Sequence, residues 1–439
     1  MKWITSQIGA REHFAIPRVL YASGKLERLY TDFWATAPWR LIGKLSGNSG
    51  LATRCHADLV GASVTGFNFH ALKSFRQRFA NPYDGFLQVG EAFGRDVVKD
   101  LEAGSFFHSS AFSLQPSVSS HSCPPSITHH LSPMTKIFFG YDTGFLEPAR
   151  WVKAQGGKTI VCQMDPARYE VDLVKEEEKR WPGWAKRSVE VPEAYFQRRE
   201  AEWTVADLVM VNSDWSKQGL IRQGVKEEKI VVVPLAYEVT QDEGGGTRDE
   251  GYGNAEKSSR RSTFDSRRPL RILFLGQVIL RKGIQYLIEA ARMLEEESVH
   301  FDVVGPIGIA DEGVKSSPKN MTFHGPVSRD RTEEFYRTAD LFVLPTVSDG
   351  FALTQLEAMA HRLPVIATPN CGEVVTDGVD GLIVPACDPM ALAEAFQLLI
   401  QDPEKLRAMN EATKAKVQKF SLARLGENLT ALEQYFLSI

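Results

Sequence analysis

The sequence predicts an α/β protein built from two doubly wound parallel sheets. Three observations predict it. Short apolar runs alternate with amphipathic helical stretches from the first residues to about residue 238, the pattern of a parallel sheet covered by helices. The alternation stops once, over Thr240 to Arg268, where apolar periodicity gives way to Gly244-Gly245-Gly246, Ser258-Ser259-Arg260-Arg261 and Arg267-Arg268. A segment of that composition reads as a flexible interdomain linker. The alternation then resumes at Arg271, and 439 residues suffice for two or three domains.

In chain order, Lys2 to Ile8 reads as the first strand. Gly9-Ala10 follows, then a helix from Arg11 to about Lys25 that Pro17 kinks or restarts. Gly9 serves either an ordinary turn or a close approach of backbone to a ligand. Leu29 to Ser46 carries Tyr30, Phe33, Trp34, Trp39 and Ile42 among Arg40 and Lys44. This reads as core packing of a helical hairpin, with contact to an acceptor or a membrane surface as the sharper alternative. Tyr83 to Leu87 and Lys136 to Gly140 read as strands. The Ser-, His- and Pro-rich insertion between them, 102–133, holds His121, Cys123, His129 and His130 without the spacing of a metal site.

Lys158 to Gln163 reads as a strand ending at Met164-Asp165-Pro166. Lys175 to Arg187 reads as a charged helix that turns Trp181 and Trp184 inward, a basic-aromatic membrane contact being the alternative. Glu200 to Ala206 is helical, Leu208 to Asn212 a strand, and Ser213 caps a helix from Asp214 to Gln223. Ile230 to Val233 is a strand. Beyond the linker, strands are expected at Arg271 to Leu275, His300 to Val304, Met321 to His324, Leu341 onward, Leu363 to Ala367 and Leu382 to Val384. Helices are expected at Gly283 to Leu294, Thr332 to Thr338, Asp388 to Leu399 and through the tail from Pro403.

Composition narrows the function. Hydrophobic content is 43%, charged content 24% and net charge -4. No basic domain stands out, which argues against nucleic-acid binding. Five scattered cysteines without metal spacing suit a reducing compartment, and hence the cytoplasm. Met1 to Leu20 lacks the pattern of a signal peptide, and no apolar run has membrane-spanning length. Any membrane contact is therefore expected to be peripheral.

The most informative stretch is Pro345 to Ala360. An apolar strand run from Ala339 ends in the turn Ser348-Asp349-Gly350, and a helix starts near Phe351 with Leu353, Leu356 and Ala360 on one face. Helix N-termini attract phosphate, and a carboxylate suits vicinal hydroxyls because it only accepts hydrogen bonds. The stretch thus reads as a site for a molecule with both phosphate and sugar, or as a strand-turn-helix unit with a solvated Asp349 and a surface Glu357. A second element, Gly276 to Gly283, also joins a strand to a helix and carries the adjacent cations Arg281 and Lys282, which suit a diphosphate. Both loops lie at strand ends of one sheet, where such sheets bind ligands.

With these residues in view, the second half resembles the donor-binding half of a retaining family 4 (group 1) glycosyltransferase of the GT-B fold. The resemblance is carried by Phe274 to Ala290, Asn320 to Ala360 and Leu363 to Leu399, with Asp349 and Glu357 at the ends of an E-x7-E motif. The first half resembles the family best over Ala206 to Glu238. The resemblance implies two Rossmann-like doubly wound domains facing across a cleft. It sets an acceptor-side domain at 1–238, a linker at 239–268 and a nucleotide-sugar domain at 269–415. The helix at 416–439 is a candidate to cross back to the first domain.

The resemblance also assigns roles. Lys282 binds the donor diphosphate, Glu357 holds the ribose hydroxyls, and Asp349 reaches a hydroxyl of the transferred sugar. The Gly350, Phe351 and Ala352 amides meet phosphate or sugar oxygens. Backbone near Gly325 and Val327 edges the nucleobase, and Gly9 matches a glycine loop facing the donor. Gln277 replaces the family's arginine after the strand glycine, and Arg281 is the candidate to supply that cation. Asp349 is one methylene shorter than the usual Glu. Asp165, or alternatively Gln163, stands near the place of a first-domain histidine, and Asp165 is the candidate for sugar positioning or proton handling.

The implied reaction is a retaining, metal-independent transfer from a nucleotide-diphosphate sugar to a glycan, lipid-linked or small-molecule acceptor. No cofactor is implied beyond that co-substrate. The alternatives are a GT-B phosphorylase or epimerase, or a silent sugar-nucleotide-binding scaffold.

Overall fold

The computed structural model describes residues 1–36, 54–69, 71, 79–104, 136–239 and 268–438. Residues 37–53, the insertion over 105–133 and the linker over 240–267 lie outside the described residues. With them go Trp39, Arg40, Ile42, Lys44, His121, Cys123, His129 and His130.

The chain divides into two compact units. The first holds Met1–Cys162, Pro192–Val209 and Thr430–Ile439, and the second Gln163–Val191 and Met210–Leu429.

Seven strands form the first sheet among the described residues: β1 (Lys2–Gln7), β2 (Leu26–Thr31), β3 (Val64–Gly66), β4 (Lys136–Tyr141), β5 (Lys158–Gln163), β6 (Leu208–Val211) and β7 (Ile230–Val232). Their order is β3-β2-β1-β4-β5-β6-β7. The described helices among them are α1 (Ala15–Ala22), α2 (Pro82–Ala103), α3 (Leu146–Ala154), α4 (Arg168–Arg180), α5 (Glu193–Val205) and α6 (Asp214–Arg222).

Three sequence expectations fail here for physical reasons. Leu29 begins no helical hairpin, because Leu29 to Thr31 is the end of β2, paired in parallel with β1 and β3. All three residues are buried, so a strand covered on both faces shows no alternation to read. Tyr83 to Leu87 is not a strand but the first turns of α2. Asn81 Oδ1 accepts from the Tyr83 N–H at 3.0 Å and Pro82 fills the first helical turn, a start signal that outweighs local alternation. The helix expected from Arg11 restarts at Ala15 rather than at Pro17. Its break lies in Glu12, His13 and Phe14, all in the left-handed region, where non-glycine residues are strained.

The second sheet lies wholly in the second unit, with β8 (Leu270–Leu275), β9 (Val299–Val304), β10 (Met321–Gly325), β11 (Leu341–Leu344), β12 (Val365–Ala367) and β13 (Gly381–Ile383). Its order is β10-β9-β8-β11-β12-β13. Around it run α7 (Ile284–Met293), α8 (Asp311–Lys315), α9 (Arg329–Thr338), α10 (Leu353–Ala360), α11 (Pro389–Gln401) and α12 (Pro403–Gln418), and α13 (Leu422–Ser438) ends the chain. Side chains on β8 and β11 alternate between two cores. Ile272, Phe274, Leu341 and Val343 pack with α7, while Leu273, Phe342 and Leu344 pack with Leu356 and Met359 of α10. Truncating a fully buried ring such as Phe342 to Ala would cost about 3–5 kcal/mol.

Order reverses between β8 and β11, so the loops following these two strands flank the switch point of the sheet. Open α/β sheets bind ligands at that place.

Candidate functional site

The loop after β8 and the turn after β11 are fastened together by backbone. Arg281 O accepts from the Val347 N–H at 2.9 Å and from the Thr346 hydroxyl at 3.0 Å. Gly283, at φ +74°, sits so close that a Cβ there would lie 1.8 Å from Pro345 O. Two loops far apart in sequence are thereby held in one geometry, and the side chains they carry meet. The Lys282 ammonium contacts the Asp349 carboxylate directly. Arg281 Nη1 lies 3.6 Å from Asp349 Oδ1 and 3.3 Å from Ser348 O. The expected partners Arg281, Lys282 and Asp349 are therefore together.

A carboxylate that sequence reading passed over joins them. Glu170, on α4, lies 3.4 Å from Arg281 Nη1 and accepts the Ser348 hydroxyl at 2.9 Å. Burial pushes its carboxyl up to about 7. Arg281 pulls against that shift, while Asp165 and Asp349 reinforce it by like charge. Trp215 Nε1 donates to Ser348 Oγ at 3.0 Å. Asp165 is close enough to act electrostatically on both Glu170 and Arg281. Its Oδ1 also accepts from the Ala167 N–H at 2.7 Å and from Gln163 Nε2 at 3.2 Å, which shapes the entry to α4.

Gly350 is required by a close approach, since a Cβ there would stand 1.8 Å from Met164 O. Asn212 Nδ2 donates to that same oxygen at 2.8 Å, which ties the Asp349 turn to the segment after β5. The helix expected near Phe351 begins two residues later, at Leu353, with Ala352 extended. The Ala352 amide is taken by Cys371 O at 3.1 Å. Of the three amides expected to face a ligand, those of Gly350 and Phe351 donate to no described residue. The Phe351 ring is buried against Phe420.

Glu357 lies one turn into α10, where Tyr336 donates its hydroxyl to Oε2 at 2.8 Å. Tyr336 is itself buried and stacked on His361, so the Glu357 carboxylate is held in place with its other oxygen unclaimed by that bond. Val327 is half-buried against the same core as α10. Gly325 has φ +69° and its carbonyl accepts from the Gly305 N–H at 2.9 Å.

Gly9 belongs to the first unit. It has φ +85°, and its N–H donates to Asp32 Oδ1 at 2.8 Å. Asp32 also takes Arg54 Nη1, at 2.9 and 3.0 Å. Gly9 therefore stands beside an ion pair of buried Asp32 and half-buried Arg54 that the sequence did not signal.

Sequence reading missed Glu170, Ser348, Trp215 and Asn212. The only local signal was Asn212-Ser213 at the end of a strand. Among the described residues no group of three His, Cys, Asp or Glu side chains is arranged to hold a metal ion. No described helix is long and apolar enough to cross a membrane.

Residues 269–402 match the family model described as glycosyl transferases group 1. The chain is 31% identical over 160 residues to a D-inositol 3-phosphate glycosyltransferase of Xylanimonas cellulosilytica, a match covering 34% of this chain and 38% of that protein. It is 28% identical over 196 residues to an alpha-D-kanosaminyltransferase of Streptomyces kanamyceticus, covering 41% of this chain and 50% of that protein. The chain thus spans half or less of the length of these curated relatives. In fold it resembles HepE of Anabaena in complex with UDP, with a TM-score of 0.58 at 13% identity, covering 99% of this chain and 100% of that one. Two parallel Rossmann-like sheets with this likeness give the GT-B fold.

Proposed function

We propose, from the match of residues 269–402 to the group 1 glycosyl transferases, that the chain is a retaining, metal-independent glycosyltransferase using a nucleotide-diphosphate sugar. The observation that carries this reading is the clamp between two loops. Arg281 O holds Thr346 and Val347, so two cations stand beside the Asp349 turn and the Gly350 and Phe351 amides.

The chemistry follows from the charges. Breaking a glycosyl-phosphate bond puts positive charge on the sugar and negative charge on the leaving diphosphate. Lys282 and Arg281 offset the latter by charge-assisted hydrogen bonds, and the two amides add donors aimed at the same oxygens. With that much fixed positive charge at the leaving group, the reaction does not require a divalent ion. Lys282 exchanges Asp349 for diphosphate when the donor enters, which frees the Asp349 carboxylate for a sugar hydroxyl. Glu357, held by Tyr336, accepts from the ribose hydroxyls, and backbone at Gly325 and Val327 edges the base. Retention needs no enzymic nucleophile when the departing phosphate takes the acceptor proton on the same face. Asp165 positions the cluster through Glu170 and Arg281.

Uridine donors come first in any test, because HepE was solved with UDP. The reading includes a cytoplasmic location, supported by the free thiols of Cys371 and Cys387, with peripheral contact at the inner membrane face.

The test is a panel of UDP-, GDP- and ADP-sugars in EDTA, followed by calorimetry and by slow donor hydrolysis. One donor should bind and hydrolyse. Lys282→Ala should weaken it roughly 30-fold or more, the loss expected for a charge-assisted hydrogen bond. Glu357→Gln keeps an acceptor for Tyr336 and should reduce discrimination between ribose and 2′-deoxyribose diphosphates. Asp165→Asn should lower turnover. Binding without turnover would make the protein a sugar-nucleotide scaffold, and no binding at all would overturn the site.

A further inference from the structure

The first unit contains a cavity of about 480 Å3 at the switch point of its own sheet. Order in that sheet reverses between β1 and β4, and residues following four adjacent strands line the cavity: Ile8 after β1, Asp32 after β2, Phe67 after β3 and Thr143 after β4. The volume falls in the range of small-molecule sites, which occur at such switch points.

Helix α2 forms another wall. Pro82, Gly85, Phe86, Val89, Phe93 and Asp96 all line the cavity, and their spacing of three and four residues makes one continuous helix face. An apolar helix stripe ordinarily covers a core. Part of this stripe faces open space instead: Phe86 remains 52% exposed, while Phe93 and Asp96 are buried. The helix is held along the face next to this stripe. A Cβ at Gly90 would lie 2.3 Å from Thr143 O, and one at Gly94 would lie 2.3 Å from Glu147 Oε2. Arg198 clamps those same groups, donating to Thr143 O at 2.7 Å and to both Glu147 oxygens at 2.9 and 2.6 Å. The wall is therefore rigid, and the cavity does not close by letting the helix relax inward.

The lining has two characters. Phe67, Phe79, Phe86, Val89 and Phe93 give an apolar body, whereas Arg11, Asp96 and the paired Arg54 and Asp32 give charged groups. The Asp32 side chain is only 9% exposed and is held by Arg54 and the Gly9 amide. A saccharide would leave its hydroxyls against phenyl rings without partners, at a cost in affinity. An amphiphile with an apolar body and one polar end matches both parts.

We infer that this cavity takes the apolar body of the acceptor, an alkyl chain or an aromatic ring system, with its hydroxyl-bearing end toward Asp32 and Arg54. That the ligand is an acceptor rests on the transferase reading above, whereas its binding does not.

The experiment is therefore donor-free calorimetry on the full chain. One arm uses n-alkanols from hexanol to dodecanol, the other phenol and 2-naphthol, and a disaccharide serves as comparison. Affinity should rise roughly three- to fourfold per added methylene until the cavity is full, or rise from phenol to 2-naphthol. The steeper series identifies the chain or the ring as the occupant. The disaccharide should not bind. Ala92→Trp, at a half-buried position of the same wall, should reduce affinity at least tenfold. Phe86→Ala, at a half-exposed position that the fold tolerates, should reduce it several-fold. Affinity independent of chain length and ring size, or unchanged in both variants, overturns the inference. Failure of the nucleotide-sugar panel leaves this titration standing, so the two readings fall separately.

Discussion

Arg281 Nη1 lies 3.4 Å from the carboxylate of Glu170, a residue 111 positions earlier in the chain. The same guanidinium is 3.6 Å from Asp349. One cation therefore serves two carboxylates, and a diphosphate would compete with both.

Donor affinity should depend on pH through this competition. Burial holds the Glu170 carboxyl at about 7, so it is largely protonated below that pH and ionised above it. Neutral Glu170 releases Arg281 to the diphosphate, while ionised Glu170 keeps it and repels the incoming anion. Nucleotide diphosphate should bind most tightly near pH 6 and weaken by roughly tenfold for each unit by which the bound donor raises the Glu170 pKa. Glu170→Gln should bind with nearly constant affinity from pH 6 to 8. Parallel profiles for the two proteins in calorimetry would remove Glu170 from the donor site.

The contact just described also shows where sequence reading ends. Lys282, Asp349 and Glu357 were legible because each sits at a fixed offset from a strand end or a helix start, so local pattern places it. Glu170 and Trp215 were not. They reach Ser348 from segments 178 and 133 residues away, and nothing in the charged pattern around Glu170 distinguishes it from the solvated face of a helix. Most strands of the second unit were legible for the same local reason. In the first unit, β2 was hidden by burial on both faces, and the start of α2 was hidden by an alternation that its Asn81-Pro82 cap overrides. The cavity was invisible because it is made by the ends of four strands and one helix face, none of which carries a motif.

Gly283 and Gly378 offer a controlled comparison of backbone strain with steric contact. Both have positive φ, +74° and +73°. A Cβ at Gly378 would meet nothing within 4 Å, whereas one at Gly283 would stand 1.8 Å from Pro345 O. Gly378→Ala should therefore cost only the left-handed penalty, about 1 kcal/mol. Gly283→Ala should cost that and the displacement of the Pro345 backbone, which together should exceed about 3 kcal/mol or expel the loop. Because the loop carries Lys282, donor binding should be lost at Gly283→Ala and kept at Gly378→Ala. Equal urea midpoints for the two variants would mean that the clamp between the loops yields easily and does not preorganise the site.

The pH dependence of stability should run opposite to that of a protein held by salt-bridged carboxylates. Glu12 and Glu170 are pushed up to about 7 and Glu202 to about 8, burial being the largest cause for each. Glu202 is fully buried, accepting the Thr143 and Phe145 amides at 2.8 and 3.3 Å, with Arg198 at 3.7 Å. Below their ordinary value of 4.5 these groups are protonated folded and unfolded alike. Between that value and about 8 the folded chain keeps protons that the unfolded chain has released, so stability falls as pH rises and levels off above 8. At about 1.4 kcal/mol for each pH unit between a group's ordinary and folded values, the contribution is on the order of a few kcal/mol for each group. Urea unfolding at pH 5, 6, 7 and 8 should give declining stability in the wild-type protein. Glu202→Gln stays neutral in both states and keeps an oxygen for the Thr143 amide, so its decline should be shallower across the whole interval. A slope equal to that of the wild-type protein would show that Glu202 is ionised when folded, with Arg198 outweighing its burial.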